Sequence, residues 1–361
     1  EHPGNTASRN GGGVYVANGT FTMSKQARVT GNTAYLSTND SNYRAFNGGG
    51  VYVGANGTFT MNDSASVDTN TAQCGYKDVL ASGGGVYVEN GGVFTMNDQA
   101  AVKDNTVPIQ YNSSFSDTVF GGGIYVNGTL NLNGGSVTGN TAYLRGGGIY
   151  VDTKATVNLG TGTVTVKDNT IHKGDFTENV YLTGDTKLVA EKAPAKNTSI
   201  GISVPLSRAT AGSVVITNAE KSIKANDARF PRDISEINLE RSGDDLKVKL
   251  PVHKNGAVIY TPVERLSDIK GAGNYYLVQD SLMTGQLTVA AGTTVNICLN
   301  GHKSASTNII NNGTLAITDC KHDSANGYLT SNYSVAITNN IAAAKLTLNS
   351  VTVKDAKGIF I

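Results

Sequence analysis

Charge is scarce in this chain. Aspartate, glutamate, lysine and arginine make up 16% of its 361 residues, and 29 lysines and arginines against 28 acids leave it almost neutral. That balance excludes a general phosphate-binding surface for nucleic acid and an electrostatic membrane patch. Long apolar runs are absent too: no stretch of about 18 apolar residues occurs, so no membrane insertion is expected. No secretory leader pattern opens the chain; "EHPGNTASRN" starts in mid-pattern, so a targeting segment is expected upstream. The five histidines (His2, His172, His253, His302 and His322) have no zinc-ligand spacing, and no nucleophile elbow or phosphate loop is present. Tryptophan is missing and prolines number only 7, whereas glycines number 43. Low charge with abundant Gly, Asn, Thr and Val describes strands and turns, not a helical or disordered chain.

One string dominates what is there. "NGGGVYVANGTFTM" (10–23) returns as "NGGGVYVGANGTFTM" (47–61), "SGGGVYVENGGVFTM" (82–96), "FGGGIYVNGTLNL" (120–132) and "RGGGIYVDTKATVNL" (145–159). Its shortest complete copy, 121–145, holds three alternating runs (Ile124/Val126, Leu130/Leu132 and Val137) separated by Asn-Gly turns. Alternation means strands, and three strands with three corners in about 25 residues make one triangular rung of a parallel β-helix. Such a rung cannot bury its inner face alone and must stack on its copies. The expected fold is therefore all-β, a parallel β-helix, and it resembles the right-handed, pectin-lyase-like solenoids.

The inward columns read Val14, Val16, Phe21, Met23, Val29; Val51, Val53, Phe59, Met61, Val67; and Val86, Val88, Phe94, Met96, Val102. Asn5, Asn32, Asn70, Asn105, Asn140 and Asn169 each precede a Thr at the close of a rung. They are read as a structural asparagine ladder, with the Asn itself supplying a left-handed corner. The long repeats carry insertions at one corner, residues 35–47, 73–82 and 108–120, where the short rung has only Tyr143–Arg145. Insertions on one edge of a rigid array are where binding function is expected.

The repeat pattern covers 1–192 and then fades. Residues 193–250 are read as a β-rich cap, 251–273 as a connector with a short helix near Val263–Ile269, and 274–361 as a second parallel β-helix. Beginning and ending inside solenoids, the chain reads as a fragment of a tandem array; end-to-end self-association into a filament is the alternative. Cys298 and Cys320 are 22 residues apart, near one coil, so they are either a disulfide or two stacked thiols. Cys74 is left over and is read as unpaired.

The "GGG(V/I)YV", "GTFTM" and "GNTA" units resemble the repeats of large secreted surface proteins of Gram-positive, gut-type bacteria. More loosely they resemble polymorphic outer-membrane and autotransporter passenger repeats. "VNICLNGHK" with "GTLAITDC" resembles the opening rungs of those Gram-positive solenoids, and "NVYL … IGISV" their closing segment. The resemblance implies a non-catalytic, extracellular, cell-surface protein of adhesive type, and it supplies no catalytic residues.

An enzyme of this architecture would need carboxylates on neighbouring rungs. The Asn-Thr pairs here are followed by Ala, Val or Ile instead of Asp, the acidic doublet Asp244–Asp245 lies outside the repeats, and "GHK" replaces Gly-His-Gly. Asp40, Asp78 and Asp117 occupy successive insertions at offsets that need not align, and are read as solvated loop acids. No cofactor and no metal are expected, with a calcium site built from loop oxygens as the alternative.

Tyr15, Tyr52, Tyr87, Tyr125 and Tyr150 share one rung position on the outer face. They either stack on one another to brace the rungs or form an aromatic track for sugar rings. Tyr43, Phe46, Tyr76, Tyr111, Phe115 and Phe120 from the loops would extend such a track. The preferred reading is an adhesin or stalk whose loop-bearing edge binds a host or microbial glycan or surface protein. A polysaccharide-active hydrolase or lyase and a purely structural spacer are the alternatives.

Overall fold

The computed structural model describes residues 4–7, 10–35, 45–73, 80–108, 119–171, 176–233, 237–282, 285–305, 307–321, 327–330, 336–354 and 359–360. The fold is all-β and built mainly of parallel strands, and it divides into two units. Glu1–Asp233 with Ile237–Lys249 belong to the first and Leu250–Ile361 to the second.

In the first unit, equivalent residues of successive repeats pair directly. Val14, Val51, Val86, Ile124, Ile149 and Val180 form one register column. Phe21, Phe59, Phe94, Leu130, Val157 and Leu188 form a second. A third runs Val29, Val67, Val102, Val137, Val166 and Ile200. Their side chains fill the core: Val51, Phe59, Val67, Val86, Phe94 and Val102 are fully buried. Fully burying a side chain of this size contributes about 1.5–3 kcal/mol, which lets a glycine-rich chain hold an extended stack. Phe21, Phe59 and Phe94 also stack ring on ring at 5.1 and 4.7 Å.

Each repeat holds one more strand than its apolar alternation predicts. The Asn-Thr corner carries a two-residue strand, seen at Thr33–Ala34, Thr71–Ala72, Thr106–Val107, Thr141–Ala142 and Thr170–Ile171, and these make a parallel sheet of their own. Two residues cannot show a period, so no alternation marks it. The residues that return from the insertions, Ala45–Asn47, Leu80–Ser82 and Val119–Phe120, form a further parallel sheet. It packs on the Asn-Thr sheet through Ala72, Ala81, Val107 and Val119, with Tyr143 and Leu144 against them.

The glycine triplets have two distinct causes. The first glycine is left-handed, as at Gly83 with φ +67°, where a side chain is strained. The third lies against the next repeat: a Cβ on Gly85 would stand 2.7 Å from the Gly123 carbonyl oxygen and 2.8 Å from Asn105 Nδ2.

Parallel pairing does not stop near residue 192. Ser199–Ile200, Ile202–Ser203 and Val214–Thr217 continue the sheets beyond it, after the glycine signature has gone. The antiparallel hairpin Asn238–Ser242/Asp245–Lys249 then covers Val214–Thr217, and Leu206–Ala211 is a short helix. This shifts the covering element within 193–250 toward its C-terminal part.

The second unit is also parallel, and it starts inside the segment read as a connector, because Thr261–Val263 pairs with Gly273–Leu277. That sheet continues through Thr294–Cys298, Thr314–Thr318 and Lys345–Asn349. Two more parallel sheets, starting at Ser281–Leu282 and Leu287–Val289, enclose a core that includes Leu277, Leu287, Ile297, Ile309, Leu315 and Ile337. The expected short helix is a single 3-10 turn, Leu266–Asp268.

Candidate functional site

The tyrosine position runs Tyr15, Tyr52, Tyr87, Tyr125, Tyr150 and on to Tyr181. It is flanked by inward Val and Ile, so strand alternation turns it away from the core. Consecutive rings stack nearly parallel, at centroid spacings of 4.9, 5.1, 4.8, 5.3 and 5.8 Å. Phe120 lies on Tyr150 at 4.3 Å and joins the column to the edge where the insertions return.

The stacking decides what this column can do. Each interior ring has its faces against neighbouring rings, so a pyranose cannot lie flat on it. Tyr52 is 6% exposed and Tyr181 8%, whereas Tyr15 is 56% exposed. The column therefore offers outside molecules mainly ring edges and hydroxyls spaced like strands. A flat aromatic track is not what these residues make.

Two acids that alternation alone did not single out serve the hydroxyls. Glu89 and Asp152 follow the "VYV" and "IYV" strands directly. Tyr125 Oη donates to Asp152 Oδ2 at 2.6 Å, and the Tyr52 hydroxyl bonds Glu89. Burial, and then the charges of Glu89 and Asp152, push the Tyr87 phenol up to about 12. Burial with these carboxylates raises Tyr52, Tyr125 and Tyr150 further above the ordinary tyrosine value. The phenols thus stay protonated at neutral pH, as hydrogen-bond donors and not bases. An acid directly after the aromatic strand was the signal in the sequence.

Of the expected loop extensions, Tyr43, Tyr76, Tyr111 and Phe115 lie outside the described residues, as do Asp40, Asp78, Asp117 and Cys74. Phe46 is described and does not extend an exposed track. It is 3% exposed, in the column of Ala81 and Val119, whose side chains face inward toward the Asn-Thr sheet. Phe120 is one residue further along its strand and faces the other way, toward Tyr150.

The asparagines form a directed chain. Backbone N and Nδ2 of Asn5, Asn32, Asn70, Asn105 and Asn140 each donate to Oδ1 of the next ladder asparagine, at 2.9–3.2 Å, down to Asn169. Asn169 donates likewise to Asn179, and Asn179 donates to both oxygens of Asp233. Ser203 Oγ also donates to Asp233, at 2.9 Å. Neither Asn179, in "ENV", nor Asp233 sits in an Asn-Thr pair, so the repeat pattern could not reveal them. The left-handed residue at this corner is the one before the asparagine: Gly31, Thr69, Asp104, Gly139 and Asp168 have φ between 56° and 70°. This corrects the expectation that the asparagine itself takes that geometry.

Asp68 and Asp245 are tied into the structure. Arg28, Thr30 and Ser66 all hydrogen-bond the Asp68 carboxylate. Burial alone would raise that carboxyl, but these bonds outweigh it and hold it at about 2. Asp244 and Asp245 sit at the covering hairpin, where Asp245 accepts a bond from Thr217 at 2.8 Å. In the second unit Cys298 and Cys320 are joined as a disulfide. No protein family, curated protein or solved structure compared with this chain matches it.

Proposed function

We propose that the chain is a right-handed parallel β-helix of the pectin-lyase-like kind, working without catalysis as an extracellular, cell-surface adhesin or stalk. Its insertion-bearing edge contacts a glycan or a surface protein. The observation that carries this reading is the small sheet of Ala45–Asn47, Leu80–Ser82 and Val119–Phe120, which brings three successive insertions back at one edge. The tyrosine column beside that edge then acts as a brace with a polar rim, in which hydroxyls, Glu89 and Asp152 would meet a ligand edge-on. The disulfide Cys298–Cys320 supports an oxidising, extracytoplasmic setting.

The short repeat supplies the test, because Tyr143–Arg145 close it without any insertion. A chain with 35–47, 73–82 and 108–120 each replaced by Tyr-Leu-Arg is expected to lose binding to glycan arrays and cell surfaces. Unchanged binding sinks the edge reading. Sugar release by the parent chain that is lost in Asp78→Asn or Asp117→Asn would point to a polysaccharide-active enzyme instead. A parent chain that neither binds nor cleaves is a spacer.

A further inference from the structure

Cys298 and Cys320 have a third neighbour. His253 Nε2 stands 3.2 Å from Cys320 Sγ, and the two sulfurs and an imidazole nitrogen all lie within 4.8 Å of one another. Among the described residues this is the one group of three His, Cys, Asp or Glu side chains whose donor atoms cluster closely enough to hold a metal ion, once the disulfide is reduced. Distant parts of the second unit supply it. Cys298 ends the strand Thr294–Cys298, Cys320 lies just beyond Thr314–Thr318, and His253 comes from the segment before the hairpin Lys254–Asn255/Val258–Ile259.

The imidazole is held in place. Its ring stacks on Tyr276 at 4.5 Å and meets Tyr260 edge-on at 5.3 Å, while Tyr260 N donates to the His253 carbonyl. Tyr276 is itself 2% exposed, so one side of the site is a fixed wall. Cys298 is fully buried, but Cys320 and His253 are partly exposed, which leaves a way in for an ion.

We infer that the reduced second unit is a Cys2His site for zinc-class divalent ions, formed by His253, Cys298 and Cys320 and closed off when the cysteines are oxidised. The inference goes beyond the adhesin reading and does not depend on it. Two thiolates and a neutral imidazole are the donors such ions prefer. In a tetrahedral zinc site, bonds of about 2.3 Å to sulfur and about 2.0 Å to nitrogen place the two sulfurs about 3.8 Å apart. The cysteine Cα atoms are 6.2 Å apart, so breaking the S–S bond lets the side chains open to that separation without moving the sheets. A water would fill the fourth position.

The chemistry balances with a dithiol reductant. Thiol–disulfide exchange breaks the Cys298–Cys320 bond with two electrons and two protons from the dithiol, which becomes a cyclic disulfide. Metal binding then forms two metal–thiolate bonds and releases both thiol protons.

The experiment uses the full chain carrying Cys74→Ser, reduced, freed of reductant under anaerobic conditions and titrated with Co2+. The reduced protein is expected to show thiolate-to-metal charge transfer and the visible bands of tetrahedral cobalt, and the oxidised protein neither. His253→Ala should keep charge transfer but bind at least about tenfold more weakly, and Cys320→Ser should lose the tetrahedral bands. Circular dichroism of the reduced protein should retain the β-sheet signal. The inference is overturned by absence of cobalt bands in the reduced protein, folded or not. Equal affinity with and without His253 overturns it as well.

Discussion

Replacing Asn105 tests the ladder at a fully enclosed point. Asn105 is 1% exposed. Its Oδ1 accepts from Asn70 N at 2.9 Å and Asn70 Nδ2 at 3.0 Å, while its Nδ2 faces Asn140 Oδ1, Val67 O and Lys103 O at 2.9–3.0 Å. In Asn105→Ala the Asn70 backbone N–H loses this buried acceptor, at about 1–3 kcal/mol, and three oxygens lose a shared donor. Asn140 Oδ1 keeps the Asn105 backbone N–H and Asn70 Nδ2 keeps two carbonyls, which limits the loss. The total is about 3–4 kcal/mol. Asn105→Asp has the same shape but sets an anionic oxygen against those three oxygens, so it should cost more than alanine, at least about 4 kcal/mol. Its excess over alanine should shrink on acidification as the new carboxyl takes a proton, because burial among acceptors favours the neutral form. Urea unfolding followed by circular dichroism measures both variants against the parent chain. The exposed pair Asn56 and Asn18, whose side chains bond at 3.2 Å, is the control, and Asn56→Ala should cost no more than about 0.5 kcal/mol. An Asn105→Ala variant within about 1 kcal/mol of the parent would refute the ladder as a source of stability, as would aspartate being no worse than alanine.

Thr69 is a β-branched residue at φ 59°, where Gly31 and Gly139 stand in sister repeats. Thr69→Gly should therefore stabilise by about 0.5–1 kcal/mol in the same unfolding assay, since strain relief exceeds the added chain entropy. Tyr125→Phe keeps the ring stack and loses the bond to Asp152, about 1 kcal/mol, whereas Tyr87→Ala removes two ring contacts, about 2 kcal/mol or more. Equal losses would show that stacking does not brace the repeats. The Asp68 carboxyl is depressed to about 2, so its contribution is present above the unfolded value and disappears as pH falls through the folded one. Between about pH 5 and about pH 2 the parent should lose about 1–2 kcal/mol more than Asp68→Asn, the figure reduced because Arg28 is solvent-screened. Parallel pH curves for the two proteins would remove that role for Asp68.

The register of the first unit was legible because identical columns repeat: glycine triplets, alternating Val-Tyr-Val and Asn-Thr pairs mark which residues become neighbours. The continuation through Ile200, Ile202 and Ile216 was not, because apolar residues alone can fill a column once glycines are no longer needed for close approach. Asn179 and Asp233 escaped for a related reason. They lie beyond the last Asn-Thr pair, Asn169–Thr170, and Asp233 lies 54 residues from Asn179.

The sequence by itself determined the strand pattern, the glycine corners and the identity of the stacked columns, since period and turn chemistry are local properties. Only the tertiary structure decided which outward residues are accessible. Tyr52 is covered by the Tyr15 and Tyr87 rings of other repeats, while Phe46 turns inward in the column of Ala81 and Val119, and burial depends on neighbours that no local pattern names. It also brought His253 to the Cys298–Cys320 pair, a meeting across 67 residues that follows from how the sheets close.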